Sequence, residues 1–223
     1  MLPNIEIENR ITELCPDMQI GLIKATVTNF QTPDALWEEI NVACDEVKQK
    51  YMLLDINKRP AIAATRSLYR ALGKDPNRYR VASEALCRRA VKGLGLYRIN
   101  TLVDLINLVS LKSGYPISGL DAQKLTGNSL RMGIGQHDEQ FNGIGRGRLN
   151  IEGIPVYRDD MGGVATPTSD EERTKIEINT TSVQININAF APDMPLTDTI
   201  DMSISLLQKY CMAKEIEIDI YQI

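Results

Sequence analysis

The chain has 223 residues, 43% hydrophobic and 24% charged, with a formal net charge of −4; this is the composition of a soluble globular protein long enough to bury a sizeable core. Its apolar runs fall well short of the roughly 18 residues that a membrane span needs. The start, MLPNIEIENR, lacks the basic-then-apolar layout of a secretory signal, so a cytoplasmic protein without a membrane partner is expected. A single histidine, His137, and four scattered cysteines, Cys15, Cys44, Cys87 and Cys211, argue against zinc sites, His-dependent triads and a disulfide framework. Neither a metal nor a cofactor is expected.

The average charge conceals a basic segment. Between Lys58 and Arg98 stand eleven basic residues against two acids, Asp75 and Glu84, so this stretch carries +9 and the rest of the chain −13. Such a patch suits a polyanion, because each Lys or Arg set against a phosphate releases a condensed counterion. It also suits solvated helix faces paired with acids elsewhere.

In chain order, Asn4 to Glu8 alternates apolar with polar and predicts a strand. Thr32-Pro33-Asp34 supplies a cap, a first-turn proline and an acid, and Leu36, Ile40, Ala43 and Val47 follow at helical spacing to about Tyr51. A second helix is predicted from Pro60 to Leu72, stopped by Gly73, and a third from a Ser83 cap to Gly93. Asn100 to Leu111 is apolar on nearly every side, which predicts a helix buried all round. Asp104 and Asn107 are its polar exceptions and must find partners or border a cavity. From about Leu125 the runs SLRMGI, EQFNGI, IPVYR, TKIEIN and SVQINI predict strands. A helix over Asp198 to Met212 and a strand over Glu215 to Ile223 follow. Both termini are expected in one sheet, within a single interlocked α+β domain spanning 1–223.

Asn142 to Gly147 is glycine-rich but precedes strand-like sequence, so it reads as a turn and not as a phosphate loop opening a helix. His137 lies in a polar loop without a second His or Cys nearby and is expected to be exposed.

One block is more specific. SLYRALGKDPNRYRVASEALCRRAVKG, followed by INTLVDLINLVSLKSGYPISGLDAQKL, resembles the B3/B4 domain of the phenylalanyl-tRNA synthetase beta subunit, in its free-standing form. IPVYRDD and RTKIEINTT are similar to the family's strand segments, and Met161-Gly162-Gly163 resembles a glycine pair of its editing pocket. The resemblance implies a B3/B4-like α+β domain, with helices from the N-terminal half packed on a mainly antiparallel sheet from the C-terminal half. It also implies a pocket for the aminoacylated end of a tRNA, where the synthetase domain hydrolyses tyrosine wrongly attached to phenylalanine-specific tRNA.

Carried across residue by residue, the family's pocket asparagine falls on Asn107, and the preceding threonine becomes Ile106. Its pocket histidine falls on Ser118, within Gly114 to Asp121. The glutamate that reads the tyrosine hydroxyl has no secure counterpart, since Glu177 is out of register and Asn179 to Thr181 occupy the stretch. The pocket implied is therefore Asn107, Ser118, Asp121, Gly162 and Gly163, with Asp104 nearby. Arg66, Arg70, Arg78, Arg80, Arg88, Arg89 and Lys92 become candidates for tRNA phosphates, with no DNA partner expected. The implied activity is hydrolysis of misacylated tRNA in trans, for which no catalytic base is assigned. The competing expectation is a non-catalytic tRNA- or amino-acid-binding module that lost the chemistry with its histidine.

Overall fold

A computed structural model describes residues 1–192 and 195–222. The elements are β1 (Asn4–Ile7), α1 (Asn9–Leu14), β2 (Gln19–Thr26), α2 (Asp34–Lys50), α3 (Pro60–Ala71), α4 (Ala82–Val91), α5 (Thr101–Ser113), β3 (Ile117–Asp121), β4 (Ser129–Ile134), β5 (Asn142–Gly143), β6 (Gly147–Arg148), β7 (Pro155–Arg158), β8 (Gly163–Ala165), β9 (Ser182–Ala189), α6 (Leu196–Cys211) and β10 (Lys214–Gln222). A central sheet has the order β10-β2-β9-β3 and is antiparallel throughout. A second sheet has the order β1-β4-β7-β8, in which β1 and β4 run parallel and the other pairs antiparallel.

Alternation along the central strands builds three layers. Ile23, Ala25, Val183, Ile185 and Ile187 face the helices and join Leu36, Ile40, Leu105 and Leu207 in the larger core. Their neighbours Ile20, Leu22 and Leu120 face the other way, onto Ile5, Leu130, Met132 and Val164 of the second sheet. Each fully buried Leu or Ile contributes about 1.5–3 kcal/mol of hydrophobic free energy. The architecture is thus α+β, with helices on one face of the central sheet and a second sheet on the other. No helix among the described residues is long and apolar enough to cross a membrane.

α5 is fixed at both ends by its sequence. The Asn100 side chain accepts from the Val103 N–H, and Gly114 ends the helix at φ +82°, a conformation costly for residues with a Cβ. Burial on most sides follows from its composition, with Leu102, Leu105, Leu108, Val109 and Leu111 all inside.

Five expectations are corrected. The termini enter different sheets, β1 the second and β10 the central one, linked by the Met1 amine on Glu217 Oε1 at 2.6 Å; Ile223 lies outside the described residues. Ser83 is not a cap, because α4 begins one residue earlier and the Ala82 N–H goes to the Pro167 carbonyl. Thr32 does not cap α2, since its hydroxyl donates to Asp104. TKIEIN forms no strand, only a 3-10 turn (Glu172–Thr174) and one isolated bridge from Lys175 to Leu120. Side chains take its backbone instead: Lys124 donates to the Lys175 carbonyl and the Thr180 hydroxyl accepts from the Glu177 N–H. Of EQFNGI, only Asn142–Gly143 is strand.

Candidate functional site

Val103, Ile106 and Asn107 lie on one face of α5, and Ile117 and Gly119 oppose them from β3. Thr166, Ser169, Asp170, Lys175 and Ile176 close the space from the long connection before β9, leaving a cavity of about 360 Å³. Its walls are mainly branched aliphatic. Gly119 sets how closely the parts approach: a Cβ there would lie 2.5 Å from Ile106 Cδ1 and 3.0 Å from Ile176 Cδ1.

Two polar groups in this cavity are largely unspent. Asn107 is half-buried and makes no hydrogen bond among the described residues. Asp170 accepts from the Gly119 N–H at 3.1 Å, and none of the ion pairs among the described residues includes it. Enclosure pushes its carboxyl up to about 7, opposed by that single N–H. Lys175 borders the same space but pairs with Glu172 and lies 3.9 Å from Glu177.

A second opening, about 460 Å³, adjoins the first. Arg78, Tyr79 and Arg80 from the turn before α4, and Arg146 and Arg148 from the β5–β6 hairpin, line it together with Asn77, Asn150 and Thr168. Thr166 belongs to the wall of both spaces, so a cleft with four arginines lies next to the aliphatic cavity. Sequence reasoning misses Arg146 and Arg148 because their glycine-rich stretch reads only as a turn; arginines on a turn next to a basic segment are the available signal. Asp170, among the polar residues of TPTSDEE, carries no local signal.

The remaining basic candidates divide by partner. Arg66 is buried and holds Glu84 at 2.8 Å, while also donating to the Pro76 carbonyl and Asn77 Oδ1. Arg88 meets the same carboxylate at 2.8 Å and Arg80 approaches it at 3.9 Å. Arg89 stacks 4.0 Å from the Tyr97 ring centroid and donates to the Gly95 carbonyl. Arg70 and Lys92 are exposed.

The pocket residues implied by resemblance do not all converge. Asn107 and Gly119 meet at the cavity, but Ser118 lies on the opposite face of β3, one residue out of phase. There it stands across from Asn186 of β9, in a buried row with Gln184 and Asn188 between the two sheets. Ser118 Oγ, Gln184 Oε1 and Asn186 Nδ2 have no hydrogen-bond partner among the described residues, although Gln184 Nε2 donates to Asn186 Oδ1 at 2.9 Å. Asp121 accepts from the Thr180 hydroxyl and the Gln123 N–H. Gly162, at φ +146°, directs its N–H onto Asp159, and a Cβ on Gly163 would lie 2.8 Å from the Phe141 ring. Asp104 is raised by burial, against hydrogen bonds from Thr32 and the Ile99 N–H, and ties the start of α5 to the loop before α2. Glu177 pairs with Lys124 at 2.6 Å. His137 is exposed and 3.3 Å from Glu152.

The family model for the B3/4 domain matches residues 64–219, and the chain belongs to that family. It is similar to the phenylalanine–tRNA ligase beta subunit of Bartonella henselae, with 30% identity over 105 residues, which cover 43% of this chain and 13% of that subunit. Among solved structures, an N-terminal fragment of the phenylalanyl-tRNA synthetase beta subunit from Pyrococcus horikoshii shares the fold at a TM-score of 0.51 and 11% identity. That likeness covers 96% of this chain and 50% of the fragment. The chain therefore spans a minor part of the curated relative and half of the solved one.

Proposed function

We propose that this protein binds the aminoacylated end of a tRNA and hydrolyses the ester of a misacylated one in trans. The observation that carries the reading is the arginine cleft set beside the aliphatic cavity, with Thr166 in the wall of both. In this reading phosphates follow Arg78, Arg80, Arg146 and Arg148, and the acyl group enters the neighbouring cavity beside Asn107. An aminoacyl ester is already activated, so holding it in line with one water supplies much of the chemistry. A cytoplasmic setting is part of the proposal, because four buried thiols without disulfides suit a reducing compartment.

A panel of misacylated tRNAs incubated with the full chain tests this. At least one is expected to be deacylated well above its spontaneous rate, and Asn107→Ala is expected to remove most of that activity without lowering the melting temperature. Binding without hydrolysis across the panel would replace the reading with a non-catalytic module, an outcome favoured by Ser118 facing away from the cavity. Neither binding nor hydrolysis would end both.

A further inference from the structure

We infer that the cavity beneath α5 is selective for a branched aliphatic α-aminoacyl group, with the Asp170 carboxylate accepting from its ammonium and the Asn107 amide donating to its carbonyl. This rests on the reading that the cavity receives the aminoacyl end, and it specifies the substrate class.

The polar inventory of the cavity leads there by subtraction. The Thr166 hydroxyl donates to the Ser169 carbonyl and accepts from the Thr168 and Ser169 N–H groups. The Ser169 hydroxyl donates to the Asp170 carbonyl. Lys175 is engaged by Glu172 and Glu177. What remains, among the described residues, is one carboxylate without a cation and one amide without a hydrogen bond. A carboxylate enclosed by hydrocarbon calls for a positive partner, and a half-buried amide facing the same space for a carbonyl or a donor. An α-aminoacyl group presents an ammonium and a carbonyl on adjacent carbons.

The walls select the side chain. Ile99, Val103, Ile106, Ile117 and Ile176 offer only hydrocarbon, so a branched aliphatic side chain gains contact there. A phenol placed against them would lose its water and find no hydrogen-bond partner in that wall. A ligand that is merely cationic would leave the walls unused, and a purely aliphatic one would leave Asp170 uncompensated.

The test uses the intact protein with L-isoleucinamide, L-valinamide and L-tyrosinamide, each presenting the ammonium and carbonyl without a tRNA. Calorimetric titration is expected to show the two aliphatic amides binding at least tenfold more tightly than the tyrosine amide. D170N is expected to weaken aliphatic binding at least tenfold while its melting curve stays cooperative; its amide oxygen can still accept the Gly119 N–H. Equal binding of the three amides, unchanged binding by a folded D170N, or no binding at all would overturn the inference, even if tRNA deacylation is found. Selective, Asp170-dependent binding with no deacylation of any tRNA would retain the acyl site and remove the hydrolase reading alone.

Discussion

Glu84 on α4 and Asp170 in the loop closing the cavity are both carboxylates drawn away from bulk water, and their surroundings are opposite. Glu84 is fully buried and receives Arg66 and Arg88 at 2.8 Å, with Arg80 at 3.9 Å. Asp170 has a backbone N–H and aliphatic neighbours. The first arrangement completes itself inside the fold, joining α3, α4 and the turn between them. The second leaves a charge to be completed from outside. A buried acid with its cations present thus reads as structure, and one kept without a cation beside an empty volume reads as a site.

The comparison is broken most strongly from the Glu84 side. Arg66→Ala leaves a buried carboxylate short of its best-enclosed partner and is expected to cost about 3–5 kcal/mol in urea unfolding. Adding Glu84→Gln should recover a large part of that loss, since the orphaned charge goes with it. A cost below about 1 kcal/mol for the single variant would show that Arg88 alone satisfies Glu84.

Asp170 should respond in the opposite sense. Its folded pKa of about 7 stands above the unfolded 3.8, so the folded state holds the extra proton between these values. Stability from this group is then present at low pH and lost as pH rises from about 4 through about 7. A gap of that size between the folded and unfolded values corresponds to about 4 kcal/mol at most, and solvent entering by the cavity mouth reduces this to about 2 kcal/mol. Asp170→Asn should therefore stabilise the protein at pH 8 and be nearly neutral at pH 4.5. Thermal melts at the two pH values decide it, and a variant destabilised at pH 8 would contradict the account.

How much of this is legible in the sequence follows from where the information lies. Pro60, Asn100 and Gly114 mark helix ends by local chemistry, and the apolar circumference of α5 accounts for its burial. Asn107 can be singled out because an amide on such a helix demands an explanation. The β3 face is harder: Ser118 and Gly119 are adjacent, and only the sheet decides that glycine meets α5 while serine meets Asn186. TKIEIN shows the same limit, because alternation alone cannot reveal that Lys124 and Thr180 will claim the backbone. Asp170 and the hairpin arginines become a site through contacts between segments far apart in the chain.

For the cleft, the smaller effect expected is on salt dependence. Arg78→Ala and Arg146→Ala should each flatten the log–log slope of tRNA affinity against salt by about one. Arg88 and Lys92 stand four residues apart, a spacing that sets two side chains on one helix face, but Lys92 is exposed and Arg88 is held by Glu84, so Lys92→Ala should be the only one of the two to alter binding without loss of stability. Matching effects at both would mean that Arg88 leaves Glu84 to meet RNA.

The smallest effect belongs to His137, the lone imidazole and, in a protein without another, the obvious suspect for catalysis. Its ring is solvent-exposed beside Glu152 and Asp138, and it borders a different depression from the cavity of Asn107 and Asp170. The hydrogen bond to Glu152, with the nearby Asp138 charge, raises its pKa above the ordinary 6.5. A raised folded pKa means a contribution present below about 6.5 and lost as pH climbs past the folded value. His137→Ala should therefore leave the melting temperature unchanged at pH 8.5 and lower it only slightly at pH 5, because exposed pairs are screened by water and salt. Deacylation at pH 7.5 should be unaffected. A large loss of activity in this variant, with the melt unchanged, would bring the 137–139 loop over the acyl group and assign the chemistry to the imidazole.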